Sequence, residues 1–153
     1  MAVGATSVAT LATGCLGSNT DEWSVNGNLA VDDAIQYQGP SCSCCDAYAE
    51  YLDDHLSGEL RTETVDHVGA HQASRGVPPD LRSCHLVEID GYMIVGHIPV
   101  KIIEELLETE PTLQGIALPG MPAGSPGMGG SKDGTWKIFG YADGAKRTIF
   151  DEF

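Results

Sequence analysis

The sequence predicts a single α/β domain whose elements follow in the order β-α-β-α-β-β-α. Three observations predict it. Short apolar or alternating runs at 34–38, 60–66 and 85–89 take turns with stretches of helix-forming residues. Gly39-Pro40, Gly76-Val77-Pro78-Pro79 and Asp90-Gly91 punctuate the chain where one kind of element gives way to the next. At 153 residues the chain has room for one modest core and a tail.

Each element has its own warrant. Ala34-Ile35-Gln36-Tyr37-Gln38 reads as a strand, and Gly39-Pro40 turns it into a helix near 44–56, where Ala47-Tyr48-Ala49-Glu50-Tyr51-Leu52 carries no Gly or Pro. A strand follows near 60–66 and a short helix near 68–75. The break at 76–81 leads to a strand at 85–89, a turn at Asp90-Gly91 and a return strand at 92–95. Pro99 opens a helix with Ile102, Ile103, Leu106 and Leu107 on one face, and Pro111 closes it. This order is the thioredoxin-like arrangement, in which cysteines lie at the first strand–helix junction and a proline loop before the third strand faces them. The stretch from Gly115 to Met128 is dense in Gly and Pro and reads as an irregular loop. Residues 136–141 and 146–150, around Ala142-Asp143-Gly144, read as a closing hairpin.

The chain divides into a signal-like segment at 1–15, a linker at 16–33 rich in Gly, Asn and Asp, and a domain at 34–153. Residues 2–14 are small, apolar and uncharged, with the length of a secretory core and too little to span a bilayer. Ala12-Thr13-Gly14-Cys15 resembles a lipobox, so the expectation is an extracytoplasmic protein, lipid-anchored through Cys15 at the outer face of the cytoplasmic membrane. Trp23 and Val25 are candidates to dock on the body. The net charge of −14, from 22 acidic and 8 basic residues, argues against a nucleic-acid surface. Acidic residues spread along nearly the whole chain, as on the solvated surface of a protein from a salty medium.

The chemistry concentrates in Ser41-Cys42-Ser43-Cys44-Cys45-Asp46. These thiols fall at a helix N-terminus, where free N–H groups and the dipole favour a thiolate, hence a nucleophile or a soft-metal ligand. The proline break in the thioredoxin-like order would bring Cys84 and His85 to the same place. Crowded thiolates suit cuprous copper and can bridge several ions. Adjacent Cys44 and Cys45 are awkward to aim at one tetrahedral zinc. Copper is thus favoured over zinc on ligand chemistry alone.

Several motifs occur in a fixed order: Cys42-Ser43-Cys44-Cys45, Gly76-Val77-Pro78-Pro79-Asp80-Leu81, Ser83-Cys84-His85, Asp90-Gly91-Tyr92, Gly96-His97-Ile98-Pro99, and the run from Leu118 to Met128. Over residues 34–150 the chain resembles the small CopG-type periplasmic copper-resistance proteins, long catalogued as a domain of unknown function. One departure is Leu86-Val87, where many relatives carry Thr-Ala. The resemblance implies a thioredoxin-like fold and a multinuclear copper–thiolate cluster on Cys42, Cys44, Cys45 and Cys84. It also raises interconversion of cuprous and cupric copper, which leaves open whether the protein is an enzyme, a copper oxidoreductase. His85, His97, Met121 and Met128 form a second tier of candidate ligands, against the plainer readings of capping or buried histidines and of methionines pegging the loop. Copper exporters or chaperones are the expected partners.

Two rival readings stand beside copper. Cys42 and Cys45 have the Cys-x-x-Cys spacing of thiol–disulfide exchange, although Cys44 and Cys84 would trap mixed disulfides. A disulfide-stapled module without metal is the other. His55, His67 and His71 read as surface histidines.

Overall fold

The computed structural model describes residues 27–152. The segment at 1–15, Cys15, Trp23 and Val25 lie outside the described residues. No helix among the described residues is long and apolar enough to cross a membrane.

The expected element order is the observed one. The elements are β1 (Asp33–Gln38), α1 (Ser43–Asp53), β2 (Glu59–Thr64), α2 (Val68–Ser74), β3 (His85–Ile89), β4 (Tyr92–Val95) and α3 (Val100–Thr109), followed by β5 (Gly115–Ala117), β6 (Lys137–Ala142) and β7 (Ala145–Glu152). They build one seven-stranded sheet of order β2-β1-β3-β4-β5-β6-β7. β1 pairs with β2 in parallel, as does β4 with β5, and each parallel pair needs a crossover that α1 and α3 supply. The other neighbours are antiparallel. Two hairpins close on two-residue Asp-Gly loops. Asp90 (φ 46°) with Gly91 (φ 83°) and Asp143 (φ 52°) with Gly144 (φ 69°) take the left-handed backbone that matches the twist of the flanking strands.

Strand alternation sorts the apolar side chains onto two faces. Ala34, Val87, Ile89, Ile94, Ile116 and Ile138 meet Tyr48 and Leu52 of α1 and Ile102, Ile103 and Leu106 of α3. Tyr37, Leu86, Val95, Ala117 and Tyr141 meet Val77 and Leu81 behind the sheet. Helix α3 ends on Glu110 in the left-handed conformation, one residue before Pro111.

Two expectations need correction. The body begins before residue 34. Leu29 and Val31, assigned to the linker, are buried in the core, and Leu29 forms a parallel bridge with Leu56. The stretch from Gly115 is not irregular at its start, because Gly115–Ala117 is strand β5 between β4 and β6. The glycine that suggests a loop is what the strand needs: a Cβ at Gly115 would run into the Met93 carbonyl oxygen.

Candidate metal centre

Cys42 is the N-cap of α1, entered from Ser41 at φ 59°, and the backbone N–H groups of Cys45 and Asp46 both donate to its carbonyl at 3.0 Å. The tight turn stacks three thiol-bearing residues on the first helical turn. Cys42 and Cys45 form a disulfide, while Cys44 and Cys84 are free and half-buried. The Cys42 and Cys44 sulfurs are 3.6 Å apart. Cys45 Sγ lies 3.6 Å from the carbonyl oxygen of Cys84, 39 residues away in the chain. The four sulfurs all fall within 4.8 Å of one another.

A second group shares Cys84. Its sulfur lies 3.4 Å from Nδ1 of His85 and 3.5 Å from Nε2 of His97, and these three ligand atoms also lie within 4.8 Å of one another. The far side of each ring fixes its tautomer. Carbonyl oxygens only accept, so Nε2–H of His85 donates to Gly96 (3.1 Å) and Nδ1–H of His97 donates to Pro126 (2.7 Å). Each histidine therefore turns a lone pair toward Cys84, in the manner of metal ligands oriented by a carbonyl behind them. Burial, reinforced by His97, holds His85 down at about 3, and burial also lowers His97, so both rings are neutral and able to ligate. Burial, with the neighbouring Cys44 second, pushes the Cys84 thiol up to about 11. Without a cation beside it, Cys84 holds its proton.

Cys42, Cys44, Cys45, Cys84, His85 and His97 converge. Met121 stands 39% exposed on a left-handed backbone, and Met128 is half-buried with its N–H bonded to the Ser125 carbonyl. The loop bearing them is nonetheless anchored at the site. Pro126 supplies the carbonyl behind His97, and Gly127 packs against Ala47 and Tyr48 so closely that a Cβ there would sit 2.7 Å from the Tyr48 nitrogen. His67 is exposed, His55 is bonded to the Tyr51 carbonyl, and His71 packs on Tyr37.

Sequence reasoning missed Tyr48. It is fully buried, donates to the Ile98 carbonyl at 2.7 Å, stacks on His85 at 4.6 Å and meets His97 edge-on at 5.2 Å. Its signal was the spacing Cys45, Tyr48, Leu52, one buried helix face.

Fold and site together define a class: an α/β domain that presents a mixed cysteine–histidine cluster at its first strand–helix junction. Residues 81–128 match the family described as protein of unknown function, DUF411. Two solved structures, described as copper resistance protein copG in form 1 and form 2, resemble the chain at 28% identity and a TM-score of 0.70. The first covers 80% of this chain and 98% of its own, the second 82% and 99%. No curated protein matches. These findings support a CopG-type copper-resistance family for this chain, and its cysteine–histidine cluster fits copper binding.

Proposed function

We propose that the reduced protein binds copper through Cys42, Cys44, Cys45 and Cys84 as a multinuclear cuprous–thiolate cluster. One observation carries this reading: Cys84, distant in sequence, brings its sulfur within 4.8 Å of the other three. Soft thiolates favour cuprous copper, and four sulfurs this crowded suit bridging better than one closed tetrahedral zinc. The neutral nitrogens of His85 and His97, sharing Cys84 with the sulfur nest, suit cupric copper. That pairing supports interconversion of the two oxidation states as the chemistry of the site. The strand order β2-β1-β3-β4, with α1 crossing between the parallel pair, supports a thioredoxin-like reading of the first half. The lipobox-like Ala12-Thr13-Gly14-Cys15 supports an extracytoplasmic, lipid-anchored protein that passes copper to exporters or chaperones.

The test is to purify the full chain anaerobically in reduced form and count its metal. More than one copper per chain, lost together in Cys44→Ser, is the expected result. A single zinc, or no copper, overturns the proposal. The Cys42–Cys45 disulfide favours thiol–disulfide exchange as a second reading. Exchange needs only those two cysteines, so activity on a disulfide substrate that survives Cys44→Ser would select it.

A further inference from the structure

Cys84 sits just outside regular structure. β3 begins at His85, so Ser83 and Cys84 have no place in the strand ladder. The residues on either side of Cys84 are held by one side chain. Gln72 on α2 is fully buried, and its Nε2 donates to the Ser83 carbonyl at 2.8 Å and the His85 carbonyl at 3.1 Å. Its Oε1 accepts from the Ser83 N–H at 3.1 Å. Both amide hydrogens and the oxygen are therefore spent on the residues immediately before and after Cys84. The Gln72 carbonyl in turn accepts from the N–H groups of Arg75 and Val77, which pins the end of α2.

The other side of the nest has a similar bracket. Gln36 Nε2 donates to the Cys45 carbonyl at 2.8 Å and to Gln38 Oε1, and Gln38 Nε2 donates to Asp46 Oδ1 at 2.6 Å. Register joins the two brackets, because Gln38 pairs with His85 across β1 and β3.

We infer that Gln72 is the positioning residue for Cys84: its carboxamide, bonded on both sides of that cysteine, keeps the remote thiol aimed at the other three. The inference rests on the copper reading for its purpose, but not for its geometry. A buried amide that satisfies three backbone groups is costly to leave unmade, and no strand neighbour can replace it at Ser83.

The experiment uses the full chain, reduced and metal-free, as wild type, Gln72→Met and Gln72→Glu. Met keeps the length and apolar bulk but no hydrogen bond. Glu keeps the acceptor for Ser83 and loses both donors. Alkylation rates of Cys84 and Cys44 are followed separately by peptide mass spectrometry, and copper retained against a competing chelator is measured alongside. In Gln72→Met, Cys84 should react faster by on the order of tenfold, while Cys44 stays within about twofold. Copper retention should fall in Gln72→Met and at least as far in Gln72→Glu, whose carboxylate would face the Ser83 and His85 carbonyl oxygens.

An unchanged Cys84 rate, or equal acceleration at both thiols, overturns the inference. Should Gln72→Met fail to fold, Gln72→Glu decides by the same two rates. A wild type that binds no copper, but whose Cys84 responds to Gln72, sinks the copper reading and keeps the positioning role. The reverse pattern sinks only the positioning role.

Discussion

Cys84 Sγ lies 3.5 Å from Nε2 of His97, thirteen residues further along the chain, and the hydrogen bond from Nδ1–H to Pro126 turns the free lone pair toward that sulfur. The thiol thus stands at the border between a sulfur nest and a pair of imidazoles. His97→Ala should leave the cuprous count near wild type, since thiolates hold the soft ion. It should weaken cupric retention by about 10–100-fold. Titration with each oxidation state under matched chelator competition checks it, and an equal loss of both would refute the division.

Acid should act on the metal-free protein through His85. Its folded value is near 3 against an ordinary value of 6.5, so between these the unfolded chain binds the extra proton. Stability is fully present above about 6.5 and falls as pH drops toward 3, at about 1.4 kcal/mol per pH unit for this one proton. Urea denaturation across that window measures the slope, and His85→Gln should flatten it.

Copper release should follow the thiols. On the proposed reading, copper binding at Cys84 would displace a proton from a group raised to about 11, so affinity should fall as pH falls. Chelator competition at several pH values should show it. Cys84→Ser should lower copper affinity at every pH and make it less steeply pH-dependent.

Gly127 takes φ +79° where its backbone meets that of Tyr48. Gly127→Ala adds both left-handed strain and a clash with backbone that cannot rotate away. A stability loss of about 1–3 kcal/mol is expected. Because Pro126 moves with it, the variant should also lose part of the cupric retention under the role proposed for His97.

Tyr48→Phe keeps the ring on His85 and strips the hydroxyl from the buried Ile98 carbonyl. The expected cost is about 1–3 kcal/mol by chemical denaturation, with the cuprous count unchanged. Tyr48→Ala, which removes the ring as well, should lower both stability and copper retention.

Much of the architecture was legible because its causes are local. Asp-Gly loops need positive φ, so Asp90-Gly91 and Asp143-Gly144 announced their hairpins. Helix α3 followed from Pro99, the spacing of Ile102, Ile103 and Leu106, and Pro111. Strand β5 was hidden because Gly115, a loop signal in sequence, serves a close backbone approach that only pairing with β4 reveals.

The site divides the same way. Neighbouring residues set a turn and a helix N-terminus, so the crowding of three thiols at the start of α1 could be read without the fold. The sequence also marked Cys84, His85 and His97 as candidates. That Cys84 reaches the nest, that Gln72 brackets it, and that the Gly96 and Pro126 carbonyls orient the two imidazoles emerged with the packed fold alone. The reason is physical: these partners are mostly backbone groups, which every residue carries alike, and their placement depends on how distant segments pack.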